Sequence, residues 1–442
     1  MKRETFTSNF GLLMTMIGVA VGLGAVWRFP YMVGKFGGAA FVLFYLAIVF
    51  FVGIPALMAE WILGRHTQRG TLGAFEKGRL PGGKIVGFFL FFIVFWATGY
   101  YSDAVGWVGF HALGELVNAF GGHINPGAIL PPQEGFNLTS LLLQMAMTAL
   151  VIFTCGIVLI KGLRKGIERA SKWIVPALFG ILLFLIFRSF TLPGAREGID
   201  WFIGGFRFGE LKPSVMAAAL GMAFFSMSLG GTFMVIYGSY LDRGANVSKN
   251  AIYTGIAAST AGLLAGFAIF PAVFAFDLEP SSGPGLLFST LPRTFDLMPA
   301  GWVFGLLFFL GLFGAAYLSD VAAFEVLVGG ILDNTRLGRK KAVFLICGIV
   351  YVLAIPPMIN FKIFVPWDLT FGSGMQALGS LLAVVTAAWF MKRYEFLREL
   401  SVKKASFERF LYWWMRIVLP FAILFVGINW FLESVFDVNI FG

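Results

Sequence analysis

Apolar residues in this chain gather into long runs, with polar residues confined to the gaps. Eleven runs approach the roughly 20 residues that a membrane-crossing helix needs. They lie near Phe10–Tyr31, Ala39–Leu63, Ile85–Leu116, Leu138–Ile160, Trp173–Phe187, Val215–Tyr240, Ala251–Phe276, Trp302–Ile331, Ala342–Ile359, Leu369–Met391 and Leu411–Phe431. The fifth is short, and the pattern extends it back through Gly166-Ile167-Glu168. Connections are mostly brief. Pro271–Gly301 is the exception, rich in Pro, Gly and Ser and including Pro280-Ser281-Ser282-Gly283-Pro284-Gly285. A loop of that length is functional or disordered, and its apolar residues predict an ordered lid.

Loop charge gives an independent reading of the same map, because cytoplasmic loops carry excess Lys and Arg. Lys2 and Arg3 precede the first run, and Arg65, Arg69, Lys77, Arg79 and Lys84 follow the second. Lys161, Arg164, Lys165 and Arg169 follow the fourth, Arg243 and Lys249 the sixth. Arg336, Arg339, Lys340 and Lys341 follow the eighth, and Lys392, Arg393, Arg398, Lys403 and Lys404 the tenth. The alternate loops are poor in base, except the mixed fifth loop with Arg188, Arg196, Arg207 and Lys212 among acids. This alternation predicts a multi-pass protein of the cell membrane, with the N-terminus cytoplasmic and the C-terminus outside. No cleavable leader is expected, since the first apolar run continues into Arg28-Phe29-Pro30 without a small-residue cleavage site.

Two runs are interrupted in the middle. The first contains Gly18-Val19-Ala20-Val21-Gly22-Leu23-Gly24, and the sixth contains Ser226-Met227-Ser228-Leu229-Gly230-Gly231-Thr232. Backbone groups freed at membrane depth need protein, water or a ligand as partners. Paired interruptions in the two halves of a chain point to a binding site near the bilayer midplane. A half-helix N-terminus suits a carboxylate, and the carbonyls of a half-helix C-terminus suit an ammonium group or a bare cation. The pair predicts a small zwitterion as ligand. Close helix packing through small residues is the competing explanation, and it accounts less well for two matched patches five spans apart.

Composition agrees with the map. Hydrophobic residues make up 58% and charged residues 13%, against about 25% charged in soluble domains. Mean hydropathy is +0.84. The net charge of +10 sits in short loops, with no basic stripe interleaved with stacking aromatics, which argues against nucleic acid as a partner. Cys155 and Cys347 fall inside apolar runs without metal or redox spacing. No hydrolase or metalloprotease motif occurs, so no enzymatic activity is expected. Few polar stripes cross the spans, which disfavours a channel.

Several motifs, in order, carry a resemblance. Ala20-Val21-Gly22-Leu23-Gly24 precedes Trp27-Arg28-Phe29-Pro30, then Gly37-Gly38-Ala39-Ala40-Phe41, then Gly53-Ile54-Pro55 with Glu60, Gly64 and Arg65. Gly166-Ile167-Glu168-Arg169-Ala170-Ser171-Lys172, Ser189-Phe190-Thr191-Leu192-Pro193-Gly194-Ala195 and Ser228-Leu229-Gly230 follow. Along essentially its whole length the chain resembles the prokaryotic branch of the neurotransmitter:sodium symporter family. The resemblance implies an all-α polytopic membrane fold, a five-plus-five inverted repeat with helices 1 and 6 broken and one extra C-terminal helix. Residues 1–190 would form the first repeat, 200–391 the second and 405–436 the added helix, all one transporter domain.

It also implies sodium-coupled transport of an amino acid or related zwitterion by alternating access. The carboxylate would meet Gly22, Leu23, Gly24 and the Tyr101 hydroxyl. The ammonium would meet the carbonyls of Ala20, Phe225 and Ser226 and the hydroxyl of Ser228, with Gly230 also at the substrate site. The side chain would lie among Ala97, Phe225, Gly231, Ser319 and Ala323, several of them smaller than in the family's bacterial leucine carriers, which predicts a bulky, hydrophobic substrate. Arg28 with Asp368, and Arg3 with Asp333, would form the outer and inner gates. Sodium would occupy the second family site, at Gly18, Val21, Ala315 and Ser319. Ala25 offers no side-chain oxygen to the first site, and Leu318 stands where the second usually has a hydroxyl. Asp320, a carboxylate inside a span, is functional by default and would bind a cation, carry a proton or serve structure. A proton-coupled or sodium-independent carrier, or a sensor that binds without transporting, remains as the alternative.

Overall fold

The computed structural model describes residues 3–205, 212–280 and 286–436. Lys2, Arg207 and most of the Pro280–Gly285 motif lie outside the described residues. Among these residues the regular structure is all helical, and the helices follow the apolar runs. We number the spans α1 (Asn9–Ala20 and Gly24–Phe36), α2 (Gly38–Thr67), α3 (Gly83–Ala119), α4 (Leu138–Ile160), α5 (Leu163–Phe190), α6 (Pro213–Ser226 and Phe233–Gly238), α7 (Val247–Ala275), α8 (Gly301–Asn334), α9 (Arg339–Met358), α10 (Phe361–Phe390) and α11 (Ala405–Trp413, continuing through Leu419–Phe436). The fifth span does extend backward, to Leu163.

Local chemistry sets the helix starts. Side-chain oxygens of Ser8, Asn137, Asn246 and Asn360 accept from backbone N–H groups of the first turns of α1, α4, α7 and α10, satisfying donors that a helix leaves orphaned. Pro213 opens α6, where its missing N–H costs nothing. Large apolar side chains such as Ile85, Trp173, Phe187 and Phe344 remain exposed on the outer surface, as expected where lipid is the solvent.

The order of packing is that of two inverted halves. Each half opens with a broken helix, and the third helix of each, α3 and α8, pack together more extensively than any other pair. The first part of α1 lies against α5 and α7, and the two parts of α6 lie against α2. The described part of the long loop forms a π turn at Leu286–Thr290 and a short helix, Leu291–Asp296, which packs on α8. Phe288 stands among Trp27, Trp107 and His111. Broken α1 and α6 therefore sit inside a cage of whole helices, which fixes the site.

Candidate functional site

α1 bends by 54° where it is interrupted. Its first part ends at Ala20, and a π turn restarts it at Gly24. The Val19 carbonyl accepts from the Ser228 hydroxyl of α6 at 2.7 Å and from the Ser319 hydroxyl of α8 at 3.2 Å. With their protons committed there, both hydroxyls present only oxygen lone pairs elsewhere. The Leu23 N–H donates to the Tyr101 hydroxyl of α3 at 3.3 Å, and the N–H groups of the restarted turn lack intrahelical acceptors by construction. A Cβ on Gly22 would lie 2.3 Å from the Ser319 hydroxyl and 3.1 Å from that of Tyr101. One on Gly24 would lie 2.8 Å from the Phe225 ring.

α6 comes apart between Ser226 and Phe233. Ser228, Gly230 and Thr232 all adopt left-handed backbone. Buried Glu60 of α2 accepts the Gly230 N–H at 2.9 Å. The α10 backbone presses close behind, since a Cβ on Gly230 would meet the Gln376 carbonyl oxygen at 1.6 Å.

Between the two breaks lies a cavity of about 50 Å³, several times the roughly 10–15 Å³ that one water needs. Nine sequence-predicted residues line it: Gly22, Leu23, Gly24, Ala97, Tyr101, Phe225, Ser228, Ser319 and Ala323. Ala20, Ser226, Gly230 and Gly231 are not in its lining. The Ser226 hydroxyl is turned to Tyr45 of α2, at 2.9 Å. Gly231 leaves no open room, because the Phe233 ring occupies the space where its Cβ would be, at 2.1 Å. The pocket is therefore narrower on that side than the small residue suggests. Val19, Thr98, Tyr100, Phe233 and Gln376 complete the lining. Sequence reasoning missed them; Val19 and Thr98 adjoin predicted positions, whereas nothing in the chain's pattern marks Gln376.

The residues expected as gates fall into two separate groups. Arg3 Nη1 is 2.7 and 2.8 Å from the two Asp333 oxygens, and its guanidinium lies 5.0 Å from the Tyr240 ring. Asp333 also accepts the Gly70 N–H. In the second group the Arg28 guanidinium lies over the Phe225 ring at 4.3 Å, with Asp368 and Tyr31 in electrostatic reach.

The cation ligands expected around Gly18 divide. Ser319 reaches α1, and a Leu318 methyl fills the space beside Gly18, 2.7 Å from where a Cβ would be. The structure does not bring Asp320 to this group. It lies around α8 from Leu318 and Ser319, where both its oxygens accept from Ser102 of α3 at 3.0 Å and Cys155 of α4 is 3.8 Å away. The hydroxyl set is thus a single Ser319. Glu325 forms a separate buried group, paired with Arg339 at 2.5 Å and accepting from Tyr240.

The comparisons agree with this architecture. A family profile described as the Sodium:neurotransmitter symporter family matches residues 3–120 and 134–438. An uncharacterized sodium-dependent transporter of Haemophilus influenzae is 30% identical over 97% of this chain and 98% of its own length. The uncharacterized sodium-dependent transporter YhdH of Bacillus subtilis is 32% identical over the same shares. Among solved structures, the crystal structure of MhsT in complex with L-phenylalanine superposes with a TM-score of 0.83 at 32% identity, covering 97% of this chain and 99% of that one.

Proposed function

The chain belongs to the Sodium:neurotransmitter symporter family, and from that premise we propose that it imports a hydrophobic amino acid together with sodium by alternating access. The observation that carries this is the cavity between two broken helices, with donors on one wall and acceptor oxygens on the other. A zwitterion pairs with both at once. Its carboxylate would take the N–H groups of Gly22, Leu23 and Gly24 and the Tyr101 hydroxyl. Its ammonium would face the Ser228 oxygen and the Phe225 carbonyl, and its side chain would lie between Ala97 and Ala323. MhsT, crystallised with L-phenylalanine, supports an amino acid of that kind.

Sodium is the second substrate. The carbonyls of Gly18, Val21 and Ala315 and the Ser319 hydroxyl are the oxygens that would hold it. Hard cations want several oxygen ligands, and Leu318 supplies a methyl where one more would help. Arg3 with Asp333 would close the cytoplasmic side, and Arg28 with Asp368, over Phe225, the outer side. Residues 1–190 and 200–391 would be the two halves that rock around the fixed site.

Reconstituted vesicles test the proposal. At least one of labelled phenylalanine, tyrosine and tryptophan should accumulate under an inward sodium gradient and fail to do so when potassium replaces sodium. Uptake driven only by a proton gradient would favour the second reading, a sodium-independent carrier, to which Leu318 and Ala25 lend specific support. Binding without uptake under either gradient would make the protein a sensor.

A further inference from the structure

The cavity has a head end and a deep end. Tyr101 and Ser319 stand at the head, where the backbone of α1 is open. Ala97 precedes Tyr101 by four residues on α3, and Ala323 follows Ser319 by four on α8. The inverted repeat runs these helices in opposite directions, so both alanines fall to the same side of the head groups. The displacement is about one helical turn, ~6 Å. Both line the cavity, as does the ring of Phe233. Two methyl groups and an aromatic ring form a slot for a flat apolar side chain.

One polar side chain in this wall is unspent. The Thr98 hydroxyl is already committed to the Val94 carbonyl at 2.6 Å. The side-chain amide of Gln376 makes no hydrogen bond among the described residues, although it lines the cavity. Its backbone is held firmly, because its carbonyl oxygen sits against Gly230 in the break of α6. An amide on this wall is an unpaired donor and acceptor in a lining that also holds the two alanines and the Phe233 ring. Leaving it unpaired against an apolar ligand carries a desolvation penalty. Sites built to pair with a substrate hydroxyl or N–H reject analogues that lack the group far more strongly than apolar pockets reject an extra methylene.

Resting on the amino-acid reading above, we infer that Gln376 selects for a hydrogen-bonding group on an aromatic side chain, so that the substrate class is tyrosine- or tryptophan-like rather than phenylalanine-like. The test is equilibrium competition of tyrosine, tryptophan and phenylalanine on the purified full chain in detergent with sodium present. The wild-type protein should bind tyrosine or tryptophan at least about tenfold tighter than phenylalanine, the gap that one satisfied hydrogen bond gives. Gln376→Leu should bring that ratio to within about threefold of unity. Should the leucine variant not yield monodisperse protein, Gln376→Asn, whose amide is one methylene short, should also lower the ratio. A wild-type preference for phenylalanine, an absence of discrimination, or an unchanged ratio in the variants overturns the inference while leaving the amino-acid reading intact. Binding of none of the three by wild-type protein overturns both.

Discussion

The two interruptions look alike in sequence and are held in different ways. The break in α1, from Val21 to Leu23, contains no residue with left-handed backbone. Apart from a Gly22 N–H bond back to the Ala20 carbonyl, its freed groups are met by hydroxyls: Ser228 and Ser319 on the Val19 carbonyl, Tyr101 on the Leu23 N–H. The break in α6, from Met227 to Thr232, holds three left-handed residues. A buried carboxylate ties it to α2, and backbone contact ties it to α10. Hydroxyl partners rotate and can be exchanged for a ligand's groups; a strained backbone wedged between two helices cannot. One break is therefore suited to trading partners with a solute, and the other to staying fixed while it does so.

Substitutions that strike one break and spare the other test this contrast. The largest effect is expected from Gly230→Ala. Its Cβ would fall 1.6 Å from the Gln376 carbonyl oxygen, at a φ of +86° that disfavours any side chain. The yield of monodisperse protein by size-exclusion chromatography should fall to less than about a tenth of wild type. A near-normal yield would mean that the α6 break is as yielding as that of α1.

Glu60→Leu comes next. It strips the Gly230 N–H of its acceptor and should destabilise the fold by about 2 kcal/mol, seen as a Tm lowered by several degrees with or without ligand. Tyr101→Phe should do the reverse. Losing the partner of the Leu23 N–H should weaken substrate binding about tenfold, with Tm of the unliganded protein barely moved. A large fall in Tm there would show that the α1 break is structural as well.

Leu318→Thr replaces the methyl beside Gly18 with a hydroxyl and should lower the half-saturating sodium concentration for uptake about threefold. No change would place sodium away from the α1 break. The smallest effect on the fold is expected from Ser228→Ala. Ser319 still donates to the Val19 carbonyl, so the Tm of the unliganded protein should shift by less than about two degrees, while substrate binding, which loses an oxygen facing the ammonium, weakens.

Hydrophobic length determined most of the architecture without any tertiary information. A run of some 20 apolar residues has one stable form in lipid, a helix with its backbone bonds satisfied internally, so the spans from α1 to α11 could be read directly. The interruptions of α1 and α6 were legible for a related reason: Gly22-Leu23-Gly24 and Gly230-Gly231 weaken helices wherever they occur. What the pattern cannot carry is direction around a helix axis and contact between distant segments. Asp320 and Ser319 are neighbours in the chain, yet one faces Ser102 and the other α1. Gly231 promised room that Phe233, two residues on, takes up. Gln376 reaches the cavity only because α10 packs against the broken part of α6. Composition and period decide which segments cross the membrane; the packing of whole helices around two broken ones decides which side chains share a space.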